Sequence, residues 1–171
     1  MNADELRALQ APLKARYREN AAAALVTLNA RGQVGDQALT CSVATGKAIV
    51  DAGLHPATGG DGLSVCSGDL LLEALVACAG VTLKAVATAL GIPIRGGTVY
   101  AEGDLDFRGT LGVAREVPVG FVAIRLHFEL DSDAPADQLN KLLALTERYC
   151  VVYQTLRTPA RLEMSLSGGT A

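Results

Sequence analysis

Tryptophan is missing from this chain, and phenylalanine and tyrosine together leave aromatic residues at only 4%. Histidine is nearly absent as well, with His55 and His127 alone, and the four cysteines never fall into a CxxC spacing. These gaps leave no ligand pattern for a metal centre. Basic residues are scarce too: 15 Lys and Arg stand against 18 Asp and Glu, for a net charge of -3. No basic stripe is available for a nucleic-acid partner, and few aromatic rings for base stacking. The opening residues MNADELRALQAPLKARYREN lack the apolar core of a signal peptide. A cytoplasmic location is therefore expected, in which Cys41, Cys66, Cys78 and Cys150 are thiols and not a disulfide scaffold.

Apolar material, by contrast, is plentiful. It makes up 50% of the 171 residues, while charged residues make up 19%. A chain of this length is most simply one domain, and this surplus of apolar residues points to an oligomer. Its richest stretch is LLLEALVACAGVTLKAVATALGI, from Leu70 to Ile92, in which only Glu73 and Lys84 carry charge. Leucine and alanine dominate and proline waits until Pro93, so a helix is expected, with the Asp69 carboxylate suited to its start. A membrane span needs roughly 18 or more apolar residues without charge, and the segment between Glu73 and Lys84 is too short. The stretch therefore reads as a buried central helix and no membrane partner is expected. Gly80 in its interior costs about 1 kcal/mol against alanine. Either another backbone approaches there, for example the same helix of a second subunit, or the glycine merely packs.

Around that helix the patterning alternates between strands and helices. Asp4 to Asn20 is amphipathic, with Leu6, Leu9, Leu13 and Tyr17 on one side and an interruption expected at Pro12. Ala23 to Ala30 and Gln37 to Ala44 read as two strands of a hairpin turning at Arg31-Gly32, and Ala48 to Leu54 as a third strand. The segment His55 to Leu63 is a glycine-rich loop without a phosphate-binding pattern. Two longer strands are expected at Thr98 to Arg108 and Val122 to Leu130, each with one apolar and one polar face, and His127 lies on the polar side. Asp133-Ala134-Pro135 starts a helix running to Tyr149. Its stripe of Leu139, Leu142, Leu143 and Thr146 extends one further turn to Cys150, and a last strand covers Arg161 to Leu166. Adjacent strands imply antiparallel hairpins, so the class is α+β.

Two cysteines thus lie on core-facing helices. The stretches SGDLLLEALVACAGVTLKAVA (Ser67 to Ala87) and RYCVVYQTL (Arg148 to Leu156) resemble the OsmC/Ohr family of osmotically induced and organic-hydroperoxide-resistance proteins. The resemblance divides the chain into an N-terminal helical extension, residues 1–22, and an OsmC-like domain, residues 23–171. It implies an intertwined homodimer with antiparallel sheets wrapped around the central helices. It also implies thiol-dependent reduction of organic hydroperoxides, with Cys78 attacking the peroxide and Cys150 resolving it. No bound cofactor is expected; an external dithiol, of which a dihydrolipoyl group is one candidate, would restore the thiols. A buried thiol in apolar surroundings is inert unless a positive group lies near it. By resemblance Arg31 matches that group, with Arg16, Arg18 and Arg148 as alternatives. The family's supporting acid often lies ten residues before the cysteine, where this chain has Gly68; Asp69, nine before, either takes its place or caps the helix. Glu73 falls on a different helical face. Cys66 is either an alternative resolving thiol or incidental, and Cys41 a small buried hydrophobe. The competing expectation is a non-catalytic binding protein for an apolar or thiol-bearing small molecule. A cysteine hydrolase lacks a base tied to Cys78 by any motif.

Overall fold

The computed structural model of the protein describes residues 2–20, 31–34, 40–44 and 49–167, with 31–34 and 40–44 described by their backbone. The expected strand at Ala23 to Ala30 lies outside the described residues. Helix α1 runs unbroken through Pro12, from Ala3–Glu19, and lies against the long helix. Strands β1 (Arg31–Val34), β2 (Thr40–Ala44) and β3 (Ile49–Gly53) follow, then a two-residue β4 (Val65–Cys66). They form a sheet in the order β1-β2-β3-β4. Arg31 therefore belongs to a strand and not to a turn: it opens β1 and faces Ala44 across the β1–β2 pair. The first two pairings are antiparallel, but β4 joins β3 in parallel, which the expectation of hairpins alone did not foresee.

Helix α2 (Ser67–Leu90) begins three residues earlier than its apolar run. Asp69 stands in its first turn, beside the unpaired amides that favour a carboxylate. The helix ends where Gly91 takes φ 68°, donating its N–H to Ala87 and Thr88, and Pro93 prevents a restart. By length and composition α2 could cross a membrane, with a mean hydropathy of 1.9. It instead packs on other elements through one stripe, Leu75, Ala79, Leu83 and Ala87, spaced four residues apart. The rest of its surface is less covered than a central helix requires, and Val81 is 73% exposed. Among the described residues the only atom that would touch a Cβ on Gly80 is a Val99 side-chain carbon, at an ordinary 3.7 Å.

Strands β5 (Gly96–Leu105) and β6 (Phe121–Asp131) form a second, two-stranded antiparallel sheet. Their apolar face, including Ala101, Ile124, Leu126 and Phe128, closes over α2. Their polar face satisfies itself: Arg125 bridges Glu102 and Asp104, and His127 stacks on Tyr100 with ring centroids 4.8 Å apart. Glu102 lies 3.7 Å from the His127 Nε2. The solvated role expected for this histidine agrees with that placement. Phe107 and Arg108 leave the strand for a short helix α3 (Phe107–Thr110), because the Asp106 carboxylate accepts the Arg108 N–H and caps it.

Helix α4 (Ala136–Tyr149) starts two residues later than its Asp-Ala-Pro signal implied. Asp133 is drawn instead into an ion pair with Arg95, which also holds Asp131 and ties the base of β5 to the approach to α4. Leu142 and Thr146 are buried as the stripe predicts, while Leu143 is half exposed. The helix does not carry on through Cys150. That residue is extended (φ −72°, ψ 110°), and a separate helix α5 (Val151–Arg157) begins after it. The break is held by Gln154, whose Nε2 donates to the Glu147 carbonyl at 2.8 Å, supplying a partner for an end carbonyl of α4. The expected last strand has no partner among the described residues: residues 159–167 form no regular element, and Leu162, Met164 and Leu166 are 90 to 100% exposed.

Candidate functional site

The site grows from the crossing of α2 with the α4–α5 break. Cys78 sits on α2 one residue before the buried Ala79, so it is carried partly into the core. Cys150 is 1% exposed at the break itself. Leu75, Ala79 and Cys150 form the centre of one core cluster, against which Cys78, Val152, Tyr153 and Leu156 pack. Each thiol shifts the acidity of the other, and both are free.

The break matters electrostatically. A helix start leaves backbone amides without intrahelical partners and carries partial positive charge. Here backbone hydrogen bonding from Val152 and Val151 acts to lower the Cys78 thiol. Burial pushes the Cys78 thiol up, but hydrogen bonds from those amides, the Cys150 thiol and the Thr82 hydroxyl outweigh it and hold it below the ordinary thiol range. Cys150 moves the other way. Burial pushes it up, and the nearby Cys78 sulfur, once ionised, adds repulsion that the Tyr153 and Val152 amides do not offset. One thiol is prepared to ionise and its neighbour to stay protonated. That is the division needed for a nucleophile and a partner that captures its oxidised form.

The other expected residues are not gathered at this point. Asp69 precedes Cys78 by nine residues, about 13.5 Å along the helix axis and two and a half turns around it. It lines a separate cavity of about 370 Å³ with His55, Cys66 and Phe107. Cys66, at the N-terminal cap of α2, stands about 18 Å along the axis from Cys78 and cannot resolve it within the chain. In the same cavity His55 stacks on Phe107 and its Nδ1 accepts the Ala57 N–H at 3.0 Å. Arg31 is placed by its β1 backbone only; its side chain, like those of Arg16, Arg18 and Cys41, lies outside the described residues. Arg148 rests over the Tyr149 ring, 5.5 Å from its centroid. Glu73 is exposed.

A larger cavity of about 530 Å³ adjoins Cys150, lined also by Leu75, Ile124, Leu126 and Phe128 among others, with Glu147 and Arg157 paired at its edge. Phe121 forms part of both cavities, seated over Gly103 so closely that a Cβ there would meet its ring at 2.4 Å. Sequence reasoning missed the amides of α5 and Thr82. The amides left no signal, because neither glycine nor proline marks the break. Thr82 did: it is a hydroxyl one helical turn after Cys78 in a run of alanine, valine and leucine.

Compared by sequence with curated proteins, the chain matches none. Among solved structures it is similar to an OsmC-like protein from Mycoplasma pneumoniae, with 17% identity and a TM-score of 0.65 over 78% of this chain and 89% of that one. It is also similar to an organic hydroperoxide resistance protein OsmC from Legionella pneumophila, with 19% identity and a TM-score of 0.61 over 78% and 91% of the two chains. A third, an organic hydroperoxide resistance protein from Elizabethkingia anophelis, shares 16% identity and a TM-score of 0.62 over 79% and 91%. At these identities the likeness is one of fold. The model of the OsmC-like protein family matches residues 59–165, more than half of the chain and the whole of the two-thiol site. With its α+β fold and the sequence match in agreement, the chain belongs to the OsmC-like family.

Proposed function

We propose that the protein is a thiol peroxidase that reduces organic hydroperoxides with an external dithiol. The observation that carries this reading is the neighbouring pair of free thiols whose surroundings push them in opposite directions. The Cys78 thiolate attacks the outer oxygen of the O–O bond, the alcohol leaves with a proton, and Cys78 becomes a sulfenic acid. The Cys150 thiol then attacks that sulfur, water leaves, and a Cys78–Cys150 disulfide remains. The dithiol reduces it by two exchanges, becoming a disulfide itself and returning both thiols.

A second copy of the chain is part of the proposal. Only 22% of the apolar window of α2 is buried, and the C-terminal segment presents Leu162, Met164 and Leu166 to solvent at strand spacing. A homodimer covers both surfaces. Asp69 stands too far along α2 to touch Cys78 of its own chain, so its proposed role, like that of Arg31 as the activating cation, belongs to the assembled protein. In light scattering the mass is expected to be twice that of the chain, and the double variant Leu162→Asp, Met164→Asp is expected to shift it toward one chain. A monomeric wild type would remove the dimer from this reading.

Consumption of an organic hydroperoxide in the presence of a dithiol tests the activity. Turnover supports it. The competing reading is a binding protein that holds an apolar ligand in the 530 Å³ cavity. Saturable ligand binding with no hydroperoxide consumed would establish that reading instead.

A further inference from the structure

Strict alternation along β6 would put Val122, Ile124, Leu126 and Phe128 on the face toward α2 and leave Phe121 on the other. The pairing does not keep that order. Asp104 faces Ala123 and Leu105 faces Phe121, so Val122 is an extra residue in β6, a bulge at the end of the sheet. A bulge re-aims the side chains beside it. Val122 is left 60% exposed, and the Phe121 ring is turned in toward α2. Two glycines make room for it. Gly103 on β5 lies against the ring, where any side chain would collide with it, and a Cβ on Gly68, in the first turn of α2, would meet the ring at 3.4 Å. The ring stands where the two cavities come together. Among the described residues, Phe121 alone lines both.

We infer that Phe121 is the end wall of the 530 Å³ cavity and fixes the longest apolar chain that the cavity accepts. This deepens the proposed function and rests on that cavity receiving the organic group of the hydroperoxide. The chemistry of the two sides suits a wall. On one side Leu75, Ile124, Leu126 and Phe128 offer an apolar surface; on the other Asp69, Asp104 and His55 offer polar groups. An alkyl chain gains from each methylene it buries on the first side. Once it meets the ring, a further methylene must stay in water and gains nothing. Without the ring the two spaces become one. The chain then runs on past Gly103 and Gly68, neither of which has a side chain to stop it. Straight-chain compounds are thus sorted by length, at a residue with no part in the redox chemistry.

The test is calorimetric titration of the full-length reduced protein with straight-chain primary alcohols of increasing length. These are the products of alkyl hydroperoxide reduction and do not react with thiols. Wild-type affinity is expected to rise about fourfold with each methylene until the chain meets Phe121, and then to level off. Phe121→Ala is expected to bind the shorter alcohols as the wild type does and to go on rising, about fourfold per methylene, beyond the wild-type limit. Phe121→Leu keeps the strand end apolar and is expected to move the limit the same way by less, so the test holds even where the alanine variant does not fold. Gly103 has an ordinary strand backbone, so a side chain fits there once the ring is gone. The double variant Phe121→Ala, Gly103→Leu returns the bulk from the opposite strand and is expected to restore the wild-type limit. A ring that merely packed would, when removed, weaken every alcohol alike. That uniform weakening would overturn the inference, as would an unmoved limit, a double variant that keeps the longer limit, or no saturable binding of any alcohol. The titration uses no peroxide. Length selection in a protein that consumes no hydroperoxide would fail the peroxidase reading alone, and hydroperoxide turnover with an unmoved limit would fail this inference alone.

Discussion

One equivalent of an organic hydroperoxide is expected to remove two hydrogens from the reduced protein, and peptide mapping is expected to place the new bond between Cys78 and Cys150. The Cys78→Ser variant should keep its mass and consume no hydroperoxide, because serine's hydroxyl does not ionise near neutral pH and forms no sulfenic acid. Cys150→Ser should separate the two steps. Its Cys78 still reacts with peroxide, but with no thiol beside it the sulfenic acid persists and goes on to the sulfinic acid under excess oxidant, adding two oxygens. The pairing rests on position as well as chemistry. Cys66 is about 18 Å along α2 from Cys78, so a bridge from Cys78 to Cys66 within one chain would contradict the site described here. Four unchanged thiols in a folded protein would move the assignment to ligand binding.

Leu142→Ala should be the most costly single truncation for stability. Leu142 is fully buried where α4 meets α2, in a cluster with Leu83, Ala87 and Ile92, and partly buried Phe128, Leu130 and Leu139 enclose it. Removing a leucine side chain from such a place costs about 2–5 kcal/mol, part lost transfer energy and part the cavity left behind. Its neighbour Leu143 lies on the same predicted stripe but is half exposed, so Leu143→Ala should cost markedly less. Denaturant unfolding at one fixed protein concentration measures both, since assembly makes apparent stability depend on concentration. Equal losses at the two positions would mean that α4 does not face the core as described.

The sequence was a better guide to elements than to their ends. The apolar run of α2, the two-faced strands β5 and β6 and the leucine stripe of α4 all follow from periodicity, which depends on which side chains must leave water. Ends depend on local competition for hydrogen bonds. Asp133 reads as a helix cap until Arg95, distant in sequence, takes its carboxylate. Phe107 continues the alternation of β5 until Asp106 caps a turn beneath it. Residues 161–166 alternate like a strand, but strand formation needs a partner, and the described chain provides none.

The same division runs through the site. Residue identity and helical context were enough to single out Cys78 and Cys150, because two cysteines on core-facing helices in those surroundings carry the family resemblance. Their unequal character was not legible. It arises because α4 stops at Cys150 and α5 starts afresh, so that the Val151 and Val152 amides have no intrahelical partner and act to lower the Cys78 thiol. Nothing in RYCVVYQTL marks that break; Gln154 holds it by reaching back to Glu147, and the two helices must already be packed for the amides to meet the thiol. Sequence alone determined which two thiols the chain carries on its core-facing helices. Tertiary packing decided which of the two sulfurs is prepared to ionise, because a thiol's acidity depends on the burial and hydrogen bonds around it, and residues distant in the chain supply both.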